Sequence, residues 1–247
     1  MEQFESIKSK ERVKELGEVF TPDGIVKDML GLVDEASIKD MGDNANGYQG
    51  YSYDLDKTFL EPSCGTGNFL VEIVARKCKT AVEKYKNSLQ DDNAKEEFKV
   101  NLLKCVATVY GVDIMPDNII ESKRRVTEII AKAYTKYIEC EFESDETYNN
   151  VVKYIVDRNI LLGNTLENTM AMNFDTSKVP AITFSGKVTE GTASELQFSE
   201  WNFDGEKVVR KAHLAADIDD NGTDGTYRKV HYTKLPTLKD KSLEMPL

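Results

Sequence analysis

The sequence predicts an α/β fold: a doubly wound parallel sheet with N-terminal helices and a small β-rich C-terminal appendage. Three short apolar segments, near Thr58, Thr108 and Asn159, are strand-like and run into a turn or a carboxylate. Charged, helix-length segments at about 68–86, 118–138 and 146–156 alternate with them, which is the rhythm of a parallel sheet. From about residue 186 helical periodicity gives way to Gly, Asp, Thr and alternating aromatics, a hairpin pattern. With 247 residues, 40% of them hydrophobic, the chain can bury one substantial core plus a small addition. The expected divisions are a helical segment (1–57), a core (58–185) and a hairpin appendage with a polar tail (186–247).

Taken in order, a first helix is expected to about Glu15. A second starts at Thr21, a good N-cap, with Pro22 at the first helical position; Ile25, Val26, Met29, Leu30 and Val33 form its expected buried stripe. A polar loop follows over 40–56. Thr58 to Leu60 should be buried as the end of a parallel strand, and Gly65 and Gly67 let the backbone turn sharply into the next helix. The charged run 84–97 reads as a solvated helix end and loop, a long crossover that closure entropy tolerates. Val109 to Asp113 forms a second buried strand. After Pro116 a helix begins, where Asn118 and Glu121 offer a capping box that leaves Asp113 free. The third strand ends in Gly163-Asn164, and a fourth is expected at 180–184.

Two carboxylates stand where chemistry is expected. Glu61 closes the first strand beside the Gly-x-Gly turn, a place where a dinucleotide site avoids negative charge and a cationic ligand is welcome. Asp113 closes the second strand, where an acid can accept from both hydroxyls of a ribose. Ile114 or Met115 offers an adenine ring a flat apolar surface.

The stretch Leu60-Glu-Pro-Ser-Cys-Gly-Thr-Gly-Asn-Phe-Leu70 resembles motif I of the S-adenosylmethionine-dependent DNA amino-methyltransferases, the adenine-N6 branch in particular. The resemblance implies a Rossmann-like methyltransferase sheet that binds S-adenosyl-L-methionine. It implies that Glu61 holds the ammonium of the cofactor, with Pro62, Cys64, Gly65 and Gly67 shaping the pocket wall. Leu16-Gly-Glu-Val-Phe-Thr-Pro22 is similar to motif X, which puts Phe20, Thr21 and Pro22 beside the cofactor. Val109-Tyr-Gly-Val-Asp-Ile-Met115 resembles motif II, with Asp113 on the ribose and Ile114 against adenine. Asn159-Ile-Leu-Leu-Gly-Asn-Thr-Leu166 resembles motif III, where the family usually has Gly-Asp. Asn164 could still accept from the adenine amino group, and Gly-Asn is equally an ordinary turn pair; both readings stand. The order of these segments is that of restriction-modification methylases and their phage relatives, and the resemblance spans residues 16–166.

The family's Asn-Pro-Pro-Tyr motif is missing, since no two of the six prolines are consecutive. That motif orients the target amino group and stacks on the flipped base. Two functional classes therefore remain: a DNA amino-methyltransferase that takes recognition and catalytic elements from a second chain, or a catalytically inactive cofactor-binding or regulatory protein. The aromatic segment 198–203 could stack on a base, although its alternation and the following Asp204-Gly205 favour a hairpin with 207–210. Residues 217–222 match only the first half of a calcium loop, with Arg228 where the bidentate Glu belongs. Four cysteines without a Cys-x-x-Cys pair and two histidines give no zinc site. They fit a reducing, cytoplasmic setting, and no signal peptide or membrane-length apolar run is read. A net charge of −11 argues against strong unaided DNA binding. The basic clusters Lys8, Lys10, Arg12, Lys14 and Lys123, Arg124, Arg125 read more simply as solvated helix faces than as phosphate tracks. Hetero- or homo-oligomers are compatible with all of this.

Overall fold

The computed structural model describes residues 10, 13–14, 18–166, 169–170, 196–214 and 229–237. Lys10, Val13 and Lys14 are helical; the rest of the expected first helix, the fourth strand at 180–184 and the calcium-like segment 217–222 lie outside the described residues. In chain order come α1 (Asp23–Met41), β1 (Phe59–Glu61), α2 (Asn68–Asn87), α3 (Ala94–Ala107), β2 (Val109–Asp113), α4 (Pro116–Ile138), α5 (Glu146–Asn159), β3 (Ile160–Asn164) and β4 (Thr169–Met170). An antiparallel trio follows: β5 (Gln197–Asp204), β6 (Lys207–Leu214) and β7 (Val230–His231). The protein is α/β with a largely helical core.

Strands β1, β2 and β3 are parallel neighbours in that order, registered Phe59 to Val109 and Gly111 to Ile160, and β4 adds antiparallel to β3. Gly111 sits in the middle strand because Leu70 and Cys64 press on it: a Cβ there would lie 2.7 Å from Leu70 Cδ1. Among the described residues β1 is an edge strand, so Leu60 is 51% exposed rather than buried as expected.

The 84–97 run is shorter as a loop than expected. Helix α3 begins at Ala94 and buries Phe98, Leu102, Leu103, Cys105 and Val106, an i, i+4, i+5, i+7, i+8 stripe whose start lies inside charged sequence. It packs on α2 and α5. Aromatic stacking closes this part of the core, with Tyr85 on Phe98 at 4.7 Å and Tyr134 on Tyr148 at 4.6 Å between ring centroids.

Helix α1 departs from expectation at both its start and its face. Pro22 itself is the N-cap, extended at ψ 147°, and its carbonyl accepts from Val26 N at 3.0 Å; Thr21 makes no capping bond. Val26 and Leu30 face inward, whereas Ile25, Met29 and Val33 are exposed, and the inward positions in the next turns are Asp34 and Ser37. Asp34 meets Arg76 of α2 at 2.8 Å and accepts from Ser52 N at 2.8 Å and Ser52 Oγ at 2.6 Å. The segment 40–56 is thus anchored rather than a free polar loop: Ser52 and Leu55 are buried, and Lys77 reaches the carbonyls of Asp54 and Lys57.

The hairpin forms as its alternation predicts, with Asp204 opposite Lys207 and Gly205 at φ +55° in the turn. Trp201 points into the core, where its Nε1 donates to Asn159 Oδ1 at 2.8 Å. Trp201, Val208, Tyr232 and Leu235 belong to the same buried cluster as α2–α5. The expected polar tail from Lys234 contains a buried residue, Leu235, because a 3-10 turn at Tyr232–Thr237 docks against α5.

Candidate functional site

Three segments far apart in sequence meet beyond the C-terminal ends of β1 and β2, where open α/β sheets hold their ligands. A strap over residues 18–21, the turn and helix start over 61–69 and the segment 113–118 line one cleft. It encloses about 190 Å³, well over ten times the roughly 10–15 Å³ that a single water needs. That is space for an organic ligand rather than an ion.

The turn is held from several sides. Gly65 and Gly67 adopt left-handed φ values of +52° and +86°, which favour glycine. Both are also crowded: a Cβ on Gly65 would lie 3.1 Å from the ring of Phe20, and one on Gly67 would lie 2.7 Å from Ser122 Cβ of α4. Cys64 N donates to Val112 O at 2.8 Å and Gly65 N to Asp113 Oδ2 at 2.9 Å, tying the turn to β2. Arg125 donates to Thr66 O and to Asn68 Oδ1, each at 2.7 Å. Asn68 Nδ2 in turn donates to Thr21 O at 2.8 Å, and Asn118 Nδ2 donates to Glu18 Oε1 at 2.6 Å. The strap is therefore stapled at both ends.

Of the residues expected at the site, Phe20, Thr21, Glu61, Cys64, Gly65, Asp113 and Ile114 line the cleft. Pro22, Pro62 and Gly67 adjoin it without lining it. Pro62 O accepts from Thr165 Oγ1 at 2.6 Å. Asn164 does not join them; its Oδ1 accepts from Leu166 N at 3.0 Å, the turn-pair arrangement. Glu18, Asn68 and Phe69 line the cleft and were not singled out from the sequence, and Asn118, expected only as part of a capping box, lines it too. For Asn68 the signal was its place one residue after Gly67, and for Glu18 its place within the 16–22 segment.

Asp113 is not free, contrary to the capping-box expectation. Helix α4 starts at Pro116 with no side-chain cap, which turns the Asn118 amide toward Asp113 Oδ1 at 3.1 Å. The same oxygen accepts from Met115 N at 2.8 Å. Glu61 has only a long contact, from Ser63 N at 3.4 Å, and no ion pair among the described residues. Burial raises its pKa above the ordinary 4.5, against a smaller lowering by Ser63 N. Burial, with Asp113 and Glu61 nearby, pushes the Cys64 thiol far up, so Cys64 is wall rather than nucleophile.

Glu18, Glu61 and Asp113 place three carboxylates around the cleft, and among the described residues no Lys, Arg or His lines it. Three basic residues of α4 are held by other groups: Lys123 by Asp157 at 2.8 Å, Arg124 by Glu121 and Glu128, and Arg125 by the turn. Among the described residues no cluster of His, Cys, Asp and Glu could hold a metal, and no helix is long and apolar enough to cross a membrane. No family model, curated protein or solved structure matches this chain.

Proposed function

We propose that the chain binds S-adenosyl-L-methionine and serves as a DNA amino-methyltransferase of the adenine-N6 type, with target recognition and the catalytic loop supplied by a second chain. The observation that carries this reading is the sign of the cleft: three carboxylates and, among the described residues, no cation in its lining. Phosphates of a nucleotide or dinucleotide would be repelled there, whereas a nucleoside bearing an ammonium and a sulfonium is attracted. Glu61 is the ammonium ligand, a partly desolvated carboxylate that a cation would relieve. Asp113 receives the ribose; it has about four acceptor positions and three protein donors, so ribose hydroxyls share it with the turn. Ile114, 48% exposed at the cleft, offers the adenine an apolar surface, and Phe20 closes the strap over the turn. The cofactor supplies a methyl group made electrophilic by positively charged sulfur.

The parallel β1–β2–β3 arrangement and its cleft fit a Rossmann-like methyltransferase sheet. A second chain accounts for the missing Asn-Pro-Pro-Tyr motif and for a net charge of −11. Four free cysteines fit a cytoplasmic setting. The alternative, a regulatory protein that keeps the pocket without the chemistry, draws support from Trp201: its ring is buried in the core and unavailable to stack on a base.

Calorimetry with S-adenosylmethionine comes first, followed by labelled methyl transfer to DNA with and without the product of a neighbouring gene that carries an Asn-Pro-Pro-Tyr motif. Transfer supports the methyltransferase. Binding without transfer under every condition leaves the regulatory protein, and no binding removes both readings.

A further inference from the structure

Helix α1 is fastened to the molecule by a largely polar face. Asp34 and Ser37 turn inward beside Val26 and Leu30, and Arg76 clamps Asp34 from α2. Beside that face Ile25, Met29, Leu32 and Val33 recur at i, i+4, i+7 and i+8 and are 50%, 49%, 66% and 40% exposed. Such a stripe ordinarily faces a core, and a contiguous apolar patch left in solvent marks an interaction site. Two exposed carboxylates, Asp28 and Glu35, run along the Leu32 side one heptad apart, and neither has an ion pair among the described residues.

We propose that this stripe docks an amphipathic helix of a partner protein whose flank carries Lys or Arg. The flanking charge selects among occupants. An antiparallel pairing of two copies centred between residues 31 and 32 would set Asp28 against Glu35 of the other copy, a like-charge contact. Membrane-surface helices carry basic flanks to meet anionic lipid, whereas this flank carries Asp28 and Glu35 against one base, Lys39 in the last turn. Lys or Arg at heptad spacing would meet Asp28 and Glu35 while apolar side chains fill the stripe. The surface is independent of the cofactor assignment.

Fluorescence anisotropy with the full chain tests this, using a labelled helical peptide with Leu on one face and Lys on its flanks, and the same peptide with Glu replacing Lys. The Lys peptide should bind with a micromolar dissociation constant and the Glu peptide at least about tenfold more weakly. The double change Met29→Glu, Leu32→Glu should weaken the Lys peptide by more than about tenfold with the melting temperature unchanged. Asp28→Lys with Glu35→Lys, at exposed positions, should reverse the preference between peptides. Four results overturn the proposal: equal binding of both peptides; stripe variants that bind like the parent; a micromolar dimer that Leu32→Glu dissolves; or binding only after residues 1–17 are removed, which would mean the chain covers its own stripe.

Discussion

Gly65 N–H, Met115 N–H and the Asn118 amide converge on Asp113, so one carboxylate both fastens the turn to β2 and faces the cleft. Asp113→Ala should therefore act twice. Hydrogen bonds to a charged acceptor are worth about 1.5–3 kcal/mol, and a loss of that order is expected in denaturant unfolding, with weaker S-adenosylmethionine binding in calorimetry. Unchanged affinity would mean that the ribose lies elsewhere. Glu61 gives a pH test. Its carboxyl is raised above 4.5 by burial, so the folded state holds this proton more tightly than the unfolded chain, and ionisation costs stability as pH rises through the raised value. A cationic ligand needs the ionised form. Affinity should thus climb with pH along an acid limb whose midpoint lies above 4.5, and Glu61→Gln should flatten that limb and weaken neutral-pH binding about 10- to 100-fold. Both acids were legible because a strand-end carboxylate beside a turn is defined by a few neighbouring residues. The Glu18–Asn118 bond was not, since its partners are 100 residues apart and only the fold brings them together.

Periodicity located most elements but could not say which way one of them faces. In α1 two apolar stripes lie side by side, and the inward one is chosen by Asp34, a residue that sequence reasoning assigns to solvent. What overrides that assignment is Arg76, supplied by α2, with Ser52 completing the set. Asp34→Ala should destabilise the protein by about 3–5 kcal/mol in chemical denaturation, because it leaves a buried guanidinium without its carboxylate. A loss below about 1 kcal/mol would mean that Glu72 alone satisfies Arg76. Helix α3 went unread for a related reason: its first turn holds Glu96 and Glu97, and the apolar stripe emerges only from Phe98 onward.

Across the whole molecule, binding and stability are linked. At a concentration of S-adenosylmethionine 100 times its dissociation constant, folding should gain about 2.7 kcal/mol, or roughly 5–10 °C in melting temperature for a chain of this size. ATP or NAD at equal concentration should shift it far less, because among the described residues the cleft offers their phosphates no cation. Binding of duplex DNA by the isolated chain should be weak and vanish on adding salt, given a net charge of −11. The parallel strands and the charge balance could be read from residue order alone; the union of hairpin and core could not, because it rests on contacts between residues far apart in sequence, Asn159 with Trp201 and Tyr110 with Ser199 among them. The first of these contacts gives the molecule a built-in optical reporter. Trp201 is the single tryptophan, 7% exposed and outside the cleft lining, and its indole bonds the same Asn159 that holds the Val106 and Ala107 carbonyls at the end of α3. Emission should stay blue-shifted while β5–β6 is seated and move to the red when that joint opens, so one fluorescence trace times the detachment of the hairpin from the core.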